Sequence, residues 1–410
     1  MGTSVFFEET GGLQQQANRL KLSPLRFMDL TPRQAGPVLN NTGLTAQNRI
    51  FLLTTMDIHS SFSINGTQLP RSRTYSRRVA GLILCLVLLV LGVCLSIAVG
   101  ARSIPLTDVI SALREVPSHR ATALNFEQRV LFELRVPRTL IAIVVGASLG
   151  VAGTLIQGHT RNPLADPGIL GVNAGAALAV VSTFAVFGSI SMFATTVAAF
   201  LGAVSATIIV FGLGRINGGN ASPLTLTLSG AALSAVLNSI TTGLILAEEA
   251  NLDRMRFWTV GSVAGRGLDV FWGVLPFAVL GIVLAFASAP ALNLLNLGDD
   301  VAQCLGVRTD RARLFGMVLI SLLAGAATTM AGPVGFIGLI VPHLVRAITG
   351  PDYRWILPYS ALLGATLMVL ADVIGRIIAR PGELPVGIVV AFIGAPLFFV
   401  LVFHRKGVAL

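Results

Sequence analysis

The chain has 410 residues, of which 54% are hydrophobic and 12% are charged, and its formal net charge is +10. A soluble core cannot use that much apolar surface, and several apolar runs reach the roughly 20 residues that a helix needs to cross a bilayer. The composition therefore excludes a soluble protein and predicts an all-α polytopic membrane protein. Nucleic-acid binding is also disfavoured, because no Arg/Lys run is interleaved with aromatic residues.

The first part of the chain differs from the rest. Residues 1–70 are polar and rich in Gln, Asn, Thr and Ser. They lack the basic start, apolar stretch and small-residue cleavage site of a signal peptide. We predict a disordered cytoplasmic extension here, followed by one transmembrane domain over residues 71–410. The alternative is that translation starts at Met56, which would leave only a short tail.

Ten apolar segments follow, and we predict that each forms a membrane helix. They cover residues 79–99, 137–157, 169–187, 190–213, 224–246, 270–287, 314–330, 334–348, 356–378 and 385–403. Arginines precede the first segment, and Arg405 and Lys406 follow the last. Positive charge usually stays on the cytoplasmic side, and an even number of helices returns the chain to the side where it began. Both termini are therefore predicted in the cytoplasm.

The turn between the second and third segments, RNPLADPG at 161–168, is unusually polar and rich in proline. Pro163 and Pro167 cannot continue a helix, and they push Asn162 and Asp166 towards extended geometry. Asn and Asp side chains can bond the backbone groups that this leaves free. Gly168 then lets the chain turn back, so these residues predict a rigid re-entrant corner.

Several motifs along the chain have a familiar form. They are RVPRTL at 135–140, GxxLxxAGTLIQ at 146–157, RNPLADPGILGVNAG at 161–175, LNLLNLGDDVAQCLGV at 292–307, GPVGFIGLIVPHLVR at 332–346, ADVIGR at 371–376 and GELPVGIVVAFIGAPLF at 382–398. In this order they resemble the FecCD (BtuC-like) family, the permeases of bacterial ABC importers for iron–siderophore complexes, haem and cobalamin. The resemblance implies a BtuC-like permease fold of ten helices in the bacterial cytoplasmic (inner) membrane.

The resemblance also implies partners. A type II importer of this family contains a dimer of permease subunits, and the second subunit could be a copy of this chain or a paralogue. Two cytoplasmic ATPases drive it, and an extracytoplasmic binding protein delivers the substrate. No phosphate-binding GxxxxGK[ST] occurs in the sequence, so ATP and Mg²⁺ are expected on the partner ATPase. This chain is accordingly expected to be non-enzymatic and to hold no cofactor.

Three arginines are predicted near the outer ends of helices. Arg135 and Arg138 lie where the second helix begins, and Arg376 lies near the end of the ninth. In the family, arginines at matching positions grip glutamates of the binding protein, a role that suits the permanently charged guanidinium. The alternative is local: Asp372 and Arg376 are spaced i,i+4 and could neutralise each other, while the other two arginines anchor the helix at the interface.

The segment between the sixth and seventh helices is too polar to span a membrane. Acidic residues suit the first turn of a short helix, and a glycine suits the position just beyond its end. The resemblance implies that this loop fits a cleft of the ATPase and transmits its closure; the alternative is a surface helix on lipid headgroups. The predicted coupling residues are Leu297, Gly298, Asp299, Asp300, Val301, Leu305 and Gly306.

A cytoplasmic gate is predicted in the loop GRINGGNASP at 214–223, at Asn220, Ala221 and Ser222, with a plain loop as the alternative. No metal site is predicted. Cys85, Cys94 and Cys304 have neither metal-ligand nor redox spacing. His159 and His343 are lone histidines, which more often pack or cap than ligate.

The predicted function is therefore that of a permease subunit in an ATP-driven importer, carrying a ferric siderophore and favouring the catecholate type. Cobalamin and haem are alternative cargoes within the same class. An ion-coupled secondary transporter is the alternative from another class, but it needs a buried coupling site, and the sequence offers only Asp372, which has a partner four residues on. An intramembrane enzyme would need a paired nucleophile and base or a motif such as HExxH, and neither occurs.

Overall fold

The computed structural model describes residues 71–100, 126–188, 191–215 and 223–404. Within these ranges ten apolar α-helices follow one another, joined by loops and short helical turns. They are α1 Arg71–Ala98, α2 Val136–Thr160, α3 Val172–Phe187, α4 Met192–Arg215, α5 Pro223–Leu246, α6 Leu268–Leu295, α7 Thr309–Ala331, α8 Ile337–Thr349, α9 Tyr353–Ile378 and α10 Val386–His404. The chain is thus an all-α polytopic membrane protein. The predicted extension over 1–70 and the predicted gate residues Asn220, Ala221 and Ser222 lie outside the described residues.

Seven of these helices are long and apolar enough to cross a membrane, while α3, α8 and the described apolar part of α10 are shorter. Helix boundaries differ most from the predicted segments in α1 and α6. Helix α1 begins at Arg71 rather than 79, and α6 runs on to Leu295 rather than ending at 287. The start of α1 is supported by packing, because Tyr75 lies edge-on to Trp355 and the Arg78 guanidinium lies 5.9 Å from the same ring.

Helix α2 is the central helix of the bundle. It packs against α6, α7, α8 and α9, and most of its side chains are buried. Three glycines allow this: a Cβ on Gly146 would collide with Gly364, one on Gly150 with Ser360, and one on Gly153 with Gly338. Small residues let helices approach closely where lipid removes the usual hydrophobic drive for association.

The helices alternate in direction, so the bundle has two ends. Helix α2 begins at the end where α1 and α9 finish, which we name the Arg138 end. It finishes where α6 ends and α7 begins, which we name the Asp299 end. A π-helical turn, Val130–Arg135, leads into α2 at the Arg138 end, and a short helix, Glu249–Trp258, lies between α5 and α6. A second short helix, Asp299–Cys304, lies between α6 and α7 and is called the coupling-loop helix below.

Candidate functional site

The Arg138 end holds a buried group of charged side chains. Arg138 donates to both oxygens of Asp372 through Nε, at 3.0 Å each, and to Oδ1 again through Nη2 at 2.7 Å. Its Nη1 donates to Glu383 Oε2 at 2.5 Å. Arg376 Nη2 donates to Asp372 Oδ2 at 2.6 Å. Two guanidinium groups and two carboxylates thus neutralise one another, which offsets the desolvation cost of burying them in an apolar bundle.

Two arginines at this end, Arg135 and Arg376, hold the end of helix α1. Arg135 Nη1 donates to the carbonyl oxygens of Ile97 and Ala98 at 2.7 and 2.9 Å. Arg376 Nη1 donates to the carbonyl oxygens of Ser96 and Val99 at 2.8 and 2.9 Å. The last carbonyls of a helix lack intrahelical partners and carry partial negative charge. The arginines therefore tie α1 to α2 and α9.

The three predicted docking arginines do lie at one end of the bundle, but none of them is a free surface charge. Arg135, Arg138 and Arg376 are 5%, 9% and 1% exposed. The Asp372–Arg376 ion pair that the sequence offered as an alternative is present. The sequence did not predict the ion pair between Arg138 and Asp372, nor the one between Arg138 and Glu383. The Glu383 side chain is 34% exposed. Glu383 belongs to the GELPVG motif, which the sequence does reveal. That it pairs with Arg138 is shown only by the structure. The docking role itself stays a prediction.

The coupling-loop helix lies at the opposite end. Asp299 and Asp300 occupy its first turn, where the helix dipole favours negative charge. Gly298 and Gly306 flank it with φ of 123° and 86°, a region that favours glycine. Apolar residues in and beside it face outwards: Leu297, Val301 and Leu305 are 64%, 44% and 58% exposed. Ala302, within the helix, is buried.

Asp299 joins this helix to two membrane helices. Arg313, in the first part of α7, donates through Nη2 to both carboxylate oxygens at 2.9 and 2.7 Å. Arg161, directly after α2, also forms an ion pair with Asp299. The Nε of Arg161 donates to the Leu295 carbonyl oxygen, the end of α6, at 3.0 Å. The predicted coupling loop is therefore fastened to α2, α6 and α7.

The turn after α2 has the geometry of a double Asx corner. The Asn162 Oδ1 accepts from the Leu164 N–H at 3.0 Å, and the Asp166 Oδ1 accepts from the Gly168 N–H at 2.8 Å. A 3₁₀ turn, Pro167–Leu170, then leads to Gly171 at φ 77° and into α3. Burial raises the pKa of Asp166, and the Gly168 N–H partly opposes that rise. A functional role for this corner stays a prediction.

The last turn of α2 contacts further helices. Gln157 Nε2 donates to the carbonyl oxygens of Gly338 and Leu339 in α8, at 3.2 Å each. Arg346 Nη1 in turn donates to Gln157 Oε1 at 2.7 Å. His159 is buried against α7, so closely that a Cβ on Gly316 would overlap its ring. The structure thus places His159 in a packing position.

Comparison with known proteins gives one consistent answer. The sequence signature of the FecCD transport family covers residues 88–404. The chain is 43% identical over 321 residues to the ferric enterobactin transport system permease protein FepD of Escherichia coli (strain K12), covering 78% of this chain and 94% of that protein. It is 41% identical over 335 residues to the Fe(3+)-citrate import system permease protein YfmD of Bacillus subtilis (strain 168), covering 82% and 97%. A solved metal-chelate type ABC transporter in an inward-facing conformation matches with a TM-score of 0.68 at 31% identity, covering 79% of this chain and 98% of that chain.

Proposed function

The chain belongs to the FecCD transport family, and from that premise we propose that it is the permease subunit of an ATP-driven importer for a ferric siderophore. The observation that carries the proposal is the extent of the match, since FepD is aligned over 94% of its length. The charged residues within the membrane helices also support an ATP-driven importer over an ion-coupled transporter. Asp372, the acid buried within the described membrane helices, is held by two arginines and is not free to take up and release a coupling ion.

We propose a catecholate siderophore as the preferred cargo. FepD is named for ferric enterobactin, whose iron ligands are catechols, and it is 43% identical to this chain. YfmD, named for Fe(3+)-citrate, is 41% identical. These identities are nearly equal, so the preference also rests on the form of the RNPLADPGILGVNAG motif. Cobalamin and haem are the cargoes that a transport assay should include as competitors.

ATP hydrolysis is proposed to occur on separate cytoplasmic ATPase subunits that bind the coupling-loop helix, with ATP and Mg²⁺ held there and no cofactor in this chain. The exposed apolar residues Leu297, Val301 and Leu305 support this, because a short surface helix with an apolar edge suits burial against a partner. The Asp299 end and both termini would then face the cytoplasm of a bacterial cell. An external binding protein and a second permease subunit complete the proposed assembly, and the gate stays assigned to Asn220, Ala221 and Ser222.

The test is reconstitution. The chain is placed in vesicles with and without a partner ABC ATPase, and uptake of a ferric catecholate siderophore from its binding protein is measured. We expect uptake only with the ATPase and internal ATP, and no ATP hydrolysis by the purified chain alone. Uptake driven by a proton or sodium gradient without the ATPase would contradict the proposal and favour a secondary transporter. Preferential uptake of haem or cobalamin would leave the importer in place and overturn the choice of cargo.

A further inference from the structure

Three chain segments that are far apart in the sequence meet at the Asp299 carboxylate. Arg161 follows the last residue of α2, Arg313 lies in the first part of α7, and Asp299 begins the coupling-loop helix. The two guanidinium groups approach from different helices. Asp299 is therefore a bridge between the coupling-loop helix and both membrane helices.

The residue on the α2 side of the bridge has an unusual backbone. Arg161 adopts the left-handed conformation, with φ of 50°, which residues other than glycine, Asn and Asp rarely use. This conformation ends α2 and directs the side chain to the Leu295 carbonyl oxygen and the Asp299 carboxylate. The corner with Asn162 and Asp166 follows at once. Arg161 thus lies between the coupling-loop helix and the re-entrant corner.

The last turn of α2 is in a position to pass a displacement on. Gln157 bonds it to α8, and the Gly158 carbonyl oxygen accepts from Asn296 Nδ2 at 3.5 Å, just after α6. His159 packs on Gly316 of α7. A shift of this turn would be shared by all three neighbouring helices, because tightly packed interfaces move between discrete arrangements and do not deform freely.

We propose that the Arg161–Asp299–Arg313 bridge transmits movement of the coupling-loop helix to the last turn of α2, at the Asp299 end. The inference rests on the proposed function and deepens it: Arg161 is a positioning residue for transport that lies outside the coupling loop itself. Its role is distinct from holding the fold. The Arg161 and Asp299 side chains are each 39% exposed, and exposed ion pairs contribute little to stability. Removing the bridge should therefore uncouple siderophore uptake from ATP hydrolysis without unfolding the protein.

The experiment compares uptake and ATP hydrolysis in the same vesicles, which contain the complete importer. For R161Q we expect ATPase co-purification and ATP hydrolysis close to wild type, while siderophore uptake per ATP hydrolysed falls about tenfold, within the usual range of coupling between sites. R161K keeps the charge and should recover most of the uptake. The matched control is D310N, which removes an exposed acid in the first turn of α7 that has no role in the bridge.

A second variant distinguishes loss of the bridge from misfolding of a single variant. D299N removes the same bridge from the other side, so R161Q/D299N should show the same uptake per ATP as either single variant. The inference is overturned if R161Q and D299N keep the wild-type ratio, if uptake and hydrolysis fall in parallel, or if the two losses multiply in the double variant. A wild-type complex that shows no ATP-dependent uptake would instead refute the proposed function, whatever the Arg161 variants do.

Discussion

Arg138 has two kinds of contact, one buried within the fold and one near the surface. Three of its contacts go to the buried Asp372, while its contact with Glu383 reaches the more exposed side of the cluster. Under the predicted docking role, a carboxylate of the binding protein would have to compete with Glu383 for Arg138. Of the three predicted docking arginines, Arg138 is therefore the one best placed to exchange an internal partner for an external one, while Arg135 and Arg376 are bonded to the end of α1.

This arrangement predicts opposite effects for two substitutions. E383Q weakens the internal competitor and should strengthen capture of the binding protein several-fold. R138Q should weaken capture about tenfold or more, because truncating one partner of a buried charge pair costs roughly 2–5 kcal/mol. Capture is measured by surface plasmon resonance on the permease in nanodiscs. The control is E249Q, an exposed acid in the short helix between α5 and α6. Unchanged capture by both E383Q and R138Q would remove Arg138 from the docking surface.

At the scale of elements, helix α2 depends on the absence of side chains along its contacts. Gly153 meets the Gly338 backbone of α8, and Gly146 and Gly150 meet α9. Glycine spacing within apolar segments is typical of such close packing between membrane helices. It could not predict which helices would meet, because the glycines on the opposite side belong to segments about half the chain away.

The same contacts predict a contrast between two glycines. G153A should lower the unfolding temperature of the detergent-solubilised protein markedly, because the added Cβ has no space and α2 and α8 must separate. G212A on α4 has open space around it and should be neutral or stabilising, since alanine favours a helix over glycine by about 1 kcal/mol. Differential scanning fluorimetry compares the two. Equal unfolding temperatures would show that α2 and α8 do not pack as described.

At the scale of the whole molecule, the two charged ends define the orientation to be tested. Cys304 is exposed on the coupling-loop helix. With Cys85 and Cys94 replaced by serine, a membrane-impermeant maleimide should label Cys304 in inside-out vesicles but not in intact cells. The control adds E249C in a background without the native cysteines, and it should be labelled only from outside. The reverse pattern would place the Asp299 end outside the cell and contradict ATPase binding there.

Local sequence was sufficient for the ten helices, the short coupling-loop helix and the Asx corner. Each depends on neighbouring residues: apolar length, acids in a first turn, glycine at a positive φ, or an Asn or Asp that bonds the backbone two residues on. The start of α1 was missed because its first turns are polar and are supported by Trp355 in α9.

Only the tertiary structure decided how the charges are used. Arg138 and Asp372 are separated by 234 positions, and Arg161 and Asp299 by 138, so no periodicity connects them. The i,i+4 pair Asp372–Arg376 was visible in the sequence because helix geometry alone brings it together. The Arg138–Asp372 pair forms because a charge buried in an apolar bundle must find an opposite charge. For this pair and for the partly exposed Arg161–Asp299 pair alike, the packing of whole helices determines which opposite charge lies within reach.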